Sequence, residues 1–142
     1  MDTLPAIKLS KTGALKILNV ALARAEELKC AVSVAVVDDG GHLMAFGRSD
    51  KAELYSVAIA QAKARSAALT RFPSGKKSPS GNDRDDHHAI AITLAAGAGS
   101  FVTIPGGFPL MAGGECVGAL AVSGAGHNDV EIAKHAVAAL AV

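Results

Sequence analysis

The apolar positions of the chain fall into blocks, some with the period of a helix and some with that of a strand. From Ser10, apolar residues return at Ala14, Leu15, Leu18, Ala21, Leu22, Ala25 and Leu28, the i, i+3, i+4, i+7 spacing of an amphipathic helix with Ser10 at its N-cap. Ala31 to Val37 is instead short and β-branched. Asp38-Asp39-Gly40-Gly41 closes it and His42 to Phe46 resumes an extended pattern, which predicts a hairpin. Leu54, Val57, Ala58, Ala60, Ala64, Ala67 and Ala68 predict a second helix from about Ala52 to Leu69 with Asp50 as its cap. A third helix is expected from Asp85 to Ala96 and a strand from Ser100 to Ile104. The last helix is expected to be capped by Asp129 and to run through Leu140, with Glu131 also near its positive N-terminus.

The most informative block is Ile104 to Gly126, IPGGFPLMAGGECVGALAVSGAG. Gly113-Gly114 between two apolar runs is a hairpin signal, because glycine reaches the positive φ values of a tight turn. In the run after the turn, Cys116, Gly118, Leu120 and Val122 alternate with Val117, Ala119, Ala121 and Ser123. Both sets are apolar or small, as in a central strand covered on both sides. The ends of this block expose main-chain amides with little side-chain cover. That makes Gly106, Gly107 and Pro109 at one end, and Ser123 and Gly124 at the other, candidate ligand-binding positions. The order of elements predicts an α+β fold: one antiparallel sheet of about five strands with helices on both faces, in a single domain over residues 1–142. Arg71 to Arg84, RFPSGKKSPSGNDR, is expected to be an exposed loop, long enough to be a lid or a linker.

Composition narrows the function classes. Of 142 residues, 50% are hydrophobic and 19% charged, enough for one core in a soluble globular domain. A formal charge of +1 with dispersed lysines and arginines, and only 4% aromatic residues, argues against nucleic acid as a partner. No run approaches the ~20 apolar residues of a membrane span. The N-terminus lacks the pattern of a secretory signal. Cys30 and Cys116 are not metal-spaced, so a cytoplasmic protein with reduced thiols is expected. Abundant alanine and glycine imply close packing of helices on the sheet.

Candidate chemistry centres on Asp83-Arg84-Asp85-Asp86-His87-His88, which brings carboxylates and imidazoles to the point where the loop enters a helix. His87, His88, Asp83 and Asp86 are candidate metal ligands; alternatively the acidic residues only stabilise the helix N-terminus. Adjacent helical residues point about 100° apart, so one histidine is expected to face a pocket and the other solvent. Ala91, Ile92 and Ala95 follow on the His88 face and are expected to turn it inward. In an acid/base site for a small carboxylated metabolite, His88 or His87 would exchange the proton and Arg48 or Lys63 would anchor the carboxylate. Amides near Gly106-Gly107 or Gly124 would stabilise an enolate. Neither a Ser-His-Asp arrangement nor a phosphate-binding or dinucleotide fingerprint is present.

AVSVAVVDDGGHLMAFGRSD, AIAQAKARSAAL and PGGFPLMAGGECVGALAVSGAGHNDVEIAKHAVAAL, in that order, resemble the successive blocks of the GlcG/HbpS family, the haem-degrading domain. The resemblance covers most of the chain. It implies a profilin-like or roadblock-like three-layer fold, assembly into homo-oligomers and a connection with haem as cofactor. A related domain is fused to a cobalamin adenosyltransferase. For haem the available axial ligands are His87 and His88. The functions in view are therefore haem binding or degradation, a cofactor-independent isomerase, tautomerase or lyase, and a non-catalytic oligomeric accessory module.

Overall fold

The computed structural model describes residues 1–141. Within them the chain forms α1 (Lys11–Glu27), β1 (Ser33–Asp38), β2 (Leu43–Arg48), α2 (Ser56–Thr70), α3 (Asp86–Ala96), β3 (Gly107–Ala112), β4 (Glu115–Ser123) and α4 (Asn128–Val137). The strands make one antiparallel sheet in the order β2-β1-β4-β3, so β4 is central as its two apolar faces require.

The two faces of the sheet are packed differently. On one, α1 and α4 set Ile17, Leu18, Ala21 and Ile132 against Val34, Val36, Leu120 and Val122. On the other, α2 lays Ala60, Ala64, Ala67 and Ala68 on Ala35, Val37, Ala119 and Ala121. Small residues on both sides of that second layer bring the helix axis close to the strands. The α1/α4 layer is tied at its surface by Arg24, which donates to Glu131 (2.6 Å) and Glu27 (2.7 Å). The hydrogen bond from Arg24 holds the Glu131 carboxyl below its ordinary range, and Glu131 in turn raises the Arg24 guanidinium.

Several local expectations hold and several are corrected. Ser10 caps α1, its Oγ accepting from the Gly13 amide at 3.0 Å. Gly113 and Gly114, with φ of +57° and +82°, form the two-residue turn between Ala112 and Glu115. The sheet has four strands where about five were expected. Phe101–Ile104 joins no ladder, because the carbonyls of Val102 and Ile104 accept from Ser66 Oγ (3.2 Å) and Ser74 Oγ (2.7 Å) instead of a neighbouring strand. Val117 lies on the face of Leu120 and Val122, not with Ala119 and Ala121. A bulge, between Leu110↔Gly118 and Met111↔Cys116, inserts it and resets the alternation. Helix α2 starts at Ser56, not Ala52, and Asp50 does not cap it: Lys51 adopts φ +64°, and Leu54 and Tyr55 stay exposed before the helix begins. Asp129 does not cap α4 from outside but sits in its first turn, and α4 ends at Val137, before Leu140.

Arg71 to Arg84 is a largely exposed segment, as expected, and its 76–84 part folds back on itself as a hydrogen-bonded finger. Lys77 bridges Asp83, Arg84 N donates to the Lys76 carbonyl (2.9 Å) and Ser78 N to that of Asn82 (2.9 Å). The Arg84 guanidinium lies over the Phe101 ring at 5.1 Å and fixes the finger to the body.

Gly118 has no room for a side chain, since a Cβ there would run into the Val37 carbonyl of the neighbouring strand, whereas one at Gly114 would meet nothing within 4 Å. Gly118→Ala is expected to cost about 1–3 kcal/mol in urea unfolding, and Gly114→Asn, at a left-handed position that Asn tolerates, less than about 0.5 kcal/mol. Equal losses would contradict the tight β1–β4 contact.

Candidate functional site

The candidate residues separate into a sealed junction and an open one. The sealed junction gathers Lys63, Gly106, Gly107, Ser123 and Gly124. Lys63 leaves the alanine face of α2 only 1% exposed, and its ammonium donates to the Val122 carbonyl (2.8 Å) and to Asp129 Oδ2 (3.1 Å). The other Asp129 oxygen accepts from the Ala125 amide at 2.9 Å, so one carboxylate holds the start of α4, the turn before it and α2 together. A Cβ at Gly106 would stand 2.7 Å from the Val122 carbonyl and 3.0 Å from Lys63 Nζ, and one at Gly107 would collide with the Lys63 carbonyl. The Gly107 amide is taken by Ser74 Oγ (2.9 Å), and a Cβ at Gly124 would lie 2.9 Å from the Ala31 carbonyl. These glycines permit close approach, as the sequence implies, but what approaches is the protein's own main chain. Ser123 is buried in register with Ser33, and Pro109 is half-buried on β3 opposite Ala119.

The open junction is α3. None of its residues is buried, and it packs on neither face of the sheet. Asp85 caps it, accepting from the His88 amide at 2.7 Å, so this acidic residue stabilises the helix start directly. His87 and His88 are both exposed, and both border one shallow surface groove of about 440 Å³, floored by Ala91, Ile92 and Ala95. The two imidazoles leave a regular helix about 100° apart, so they border this patch from different sides. The expected inward turn of His88 is corrected, since its apolar face looks outward.

Asp83 belongs to the finger and Asp86 to the first turn of α3. Among the described residues no group of three or more His, Cys, Asp or Glu side chains is arranged to hold a metal ion. Arg48, exposed at the end of edge strand β2, does not line the groove, and Lys63 is committed to Asp129. The structure therefore brings together His87 with His88, and Lys63 with the glycines, but not the two sets.

Against this geometry, the profile of the family described as haem degrading protein HbpS-like matches residues 9–138. The chain belongs to the HbpS-like family. It is 36% identical to protein GlcG of Escherichia coli K12 over 121 residues, 81% of either chain. A double mutant of HbpS from Streptomyces reticuli superimposes with a TM-score of 0.80 at 27% identity, covering 99% of this chain and 92% of that one. PduOC, solved as a complex with haem, gives a TM-score of 0.74 at 26% identity over 93% of this chain and 94% of that one.

Sequence reasoning missed Asp129 as the partner of Lys63, and Ser74 as the clamp that takes up the Gly107 amide and the Ile104 carbonyl. A lysine on an otherwise alanine face was the available signal for the first, because such a residue needs a buried counter-charge. The second comes from tertiary placement of the finger and left no mark in the pattern.

Because α3 has no fully buried residue, it depends on its cap. Asp85→Ala is expected to remove about 1 kcal/mol of local helix stability, raising amide exchange across α3 about fivefold while the thermal midpoint of the body stays put. A parallel fall of the midpoint would show that α3 unfolds with the sheet.

Proposed function

We propose that the protein binds haem at α3, with a histidine of that helix as axial ligand. One observation carries the reading: an apolar helix standing clear of the core presents two exposed imidazoles over a groove of Ala91, Ile92 and Ala95. A haem site needs an axial base beside an apolar surface for the ring, and these residues fit both needs. The family description and the haem complex of PduOC support the same reading. Bound haem would supply an iron centre for ligand binding or electron transfer. His88 is the favoured residue to hold the haem iron, since it begins the row that continues through Ala91, Ile92 and Ala95, and His87 would add a second imidazole beside that row.

The groove covers only one side of a flat ligand. Ile90, at 60% exposure, and Leu94, at 78%, leave the rest of α3 uncovered. We therefore take self-association to be part of the site, a second copy supplying the opposite wall. Among the described residues no helix is long and apolar enough to cross a membrane, and the free thiols Cys30 and Cys116 fit a reducing cytoplasm. The isomerase, tautomerase or lyase alternative is weakened by the burial of Lys63 and the engagement of the Gly107 amide. An accessory module without catalysis is compatible with haem binding.

Haem titration should produce a Soret shift that saturates. His88→Ala should abolish it, while His87→Ala leaves it nearly intact, with folding checked by circular dichroism and mass by light scattering. Folded variants that both bind haem like the parent, or a clean monomer at micromolar concentration, would refute the site as drawn.

A further inference from the structure

A second cavity lies on the other side of the Asp83-Arg84-Asp85 corner and shares no lining residue with the α3 groove. It has a volume of about 590 Å³, within the span of small-molecule sites. Phe72, Pro73 and Pro105 give it rigid apolar walls, and Lys76, Lys77 and Asp83 contribute the charges of its lining.

Both walls are fixed. Ser74, 8% exposed, donates to the Ile104 carbonyl (2.7 Å) and accepts from the Gly107 amide (2.9 Å), while its own amide donates to the Gly107 carbonyl (2.9 Å). That clamps the base of the finger to the start of β3. Arg84 donates to the Lys77 carbonyl at 3.1 Å while lying over Phe101, which holds the finger's return limb against the 101–105 segment. A preformed cavity of this kind binds without the entropic cost of first ordering its walls.

Charge decides what it would hold. Among the described residues neither Lys76 nor Lys77 makes an ion pair, and Asp83 makes none either. Two cations against one carboxylate leave the lining with a single excess positive charge over an apolar floor. Thr103, whose side chain carries a hydroxyl donor, is also among the lining residues. We infer that this cavity is a binding site for a compact organic monocarboxylate, with the carboxylate at Lys76, Lys77 and Thr103 and an apolar body against Phe72, Pro73 and Pro105. A polyanion would exceed the available charge and face Asp83. A neutral apolar ligand would gain nothing from the two lysines, which stay solvated.

Benzoate is a suitable probe, titrated into the full chain labelled with ¹⁵N. Saturable shifts confined to the amides of Gly75, Lys76, Lys77, Thr103 and their neighbours are expected, with benzyl alcohol, which lacks the charge, binding at least about tenfold more weakly. Lys76→Gln/Lys77→Gln, at exposed positions that carry no part of the core, should weaken benzoate by about tenfold or more. His88→Ala should leave the titration unchanged. Shifts that do not saturate, equal affinity for benzyl alcohol, or an unaffected lysine double variant would each overturn the site. Loss of binding in His88→Ala would overturn its separateness from the α3 groove.

Discussion

The buried contact of Lys63 with Asp129 is the constraint on which the arrangement of the upper end of the sheet depends. An ammonium removed from water costs several kcal/mol unless its charge and its donors are met. Here they are met by a carboxylate and by the Val122 carbonyl, which belongs to the central strand. The same carboxylate receives the Ala125 amide, so α2, the end of β4 and the start of α4 are fixed to one point. Everything nearby is shaped to let that point form. The alanines of α2 bring the helix down onto the strands, Gly107 lies where its Cβ would strike the Lys63 main chain, and Gly106 adopts φ +128° beside the ammonium. Gly106 and Gly107, which from sequence suit close approach by a ligand, here make room for Lys63 and the main chain around it.

Much of this architecture is legible in the residue pattern. The helical period of α1, the Gly113-Gly114 turn and the two apolar faces of β4 are local features, fixed by spacing and by the reach of glycine, and they appear where they were expected. The errors arise where tertiary contacts overrule local preference. The fifth strand fails because hydroxyls of Ser66 and Ser74 take the carbonyls a ladder would need. Val117 changes face because one bulge shifts the period of β4, which no propensity records. For the candidate site, the corner at residues 83–88 was visible as a cluster of charge and imidazole, but its outward orientation was not. Periodicity shows which side of a helix is apolar and not whether another element covers it.

The fold thus divides its chemistry between a closed end and an open flank. At the closed end the Lys63 ammonium, the Asp129 carboxylate and the Gly107 amide are taken up in holding elements together. On the flank, the finger and α3 carry two imidazoles, two unpaired lysines and uncovered apolar residues, attached to the body through Arg84 and Ser74. Carrying exposed side chains on appendages while the sheet stays fixed is a common division of labour in folded domains.

A double-mutant cycle on the central pair measures this account most directly. Lys63→Met, Asp129→Asn and the double variant would be unfolded in urea. Asn keeps an acceptor for the Ala125 amide while removing the charge. The account predicts that Lys63→Met alone costs about 3–5 kcal/mol, because it strands a buried carboxylate, and that the double variant loses about 1–3 kcal/mol less than the sum of the singles. Strictly additive losses, with no coupling between the two positions, would contradict it.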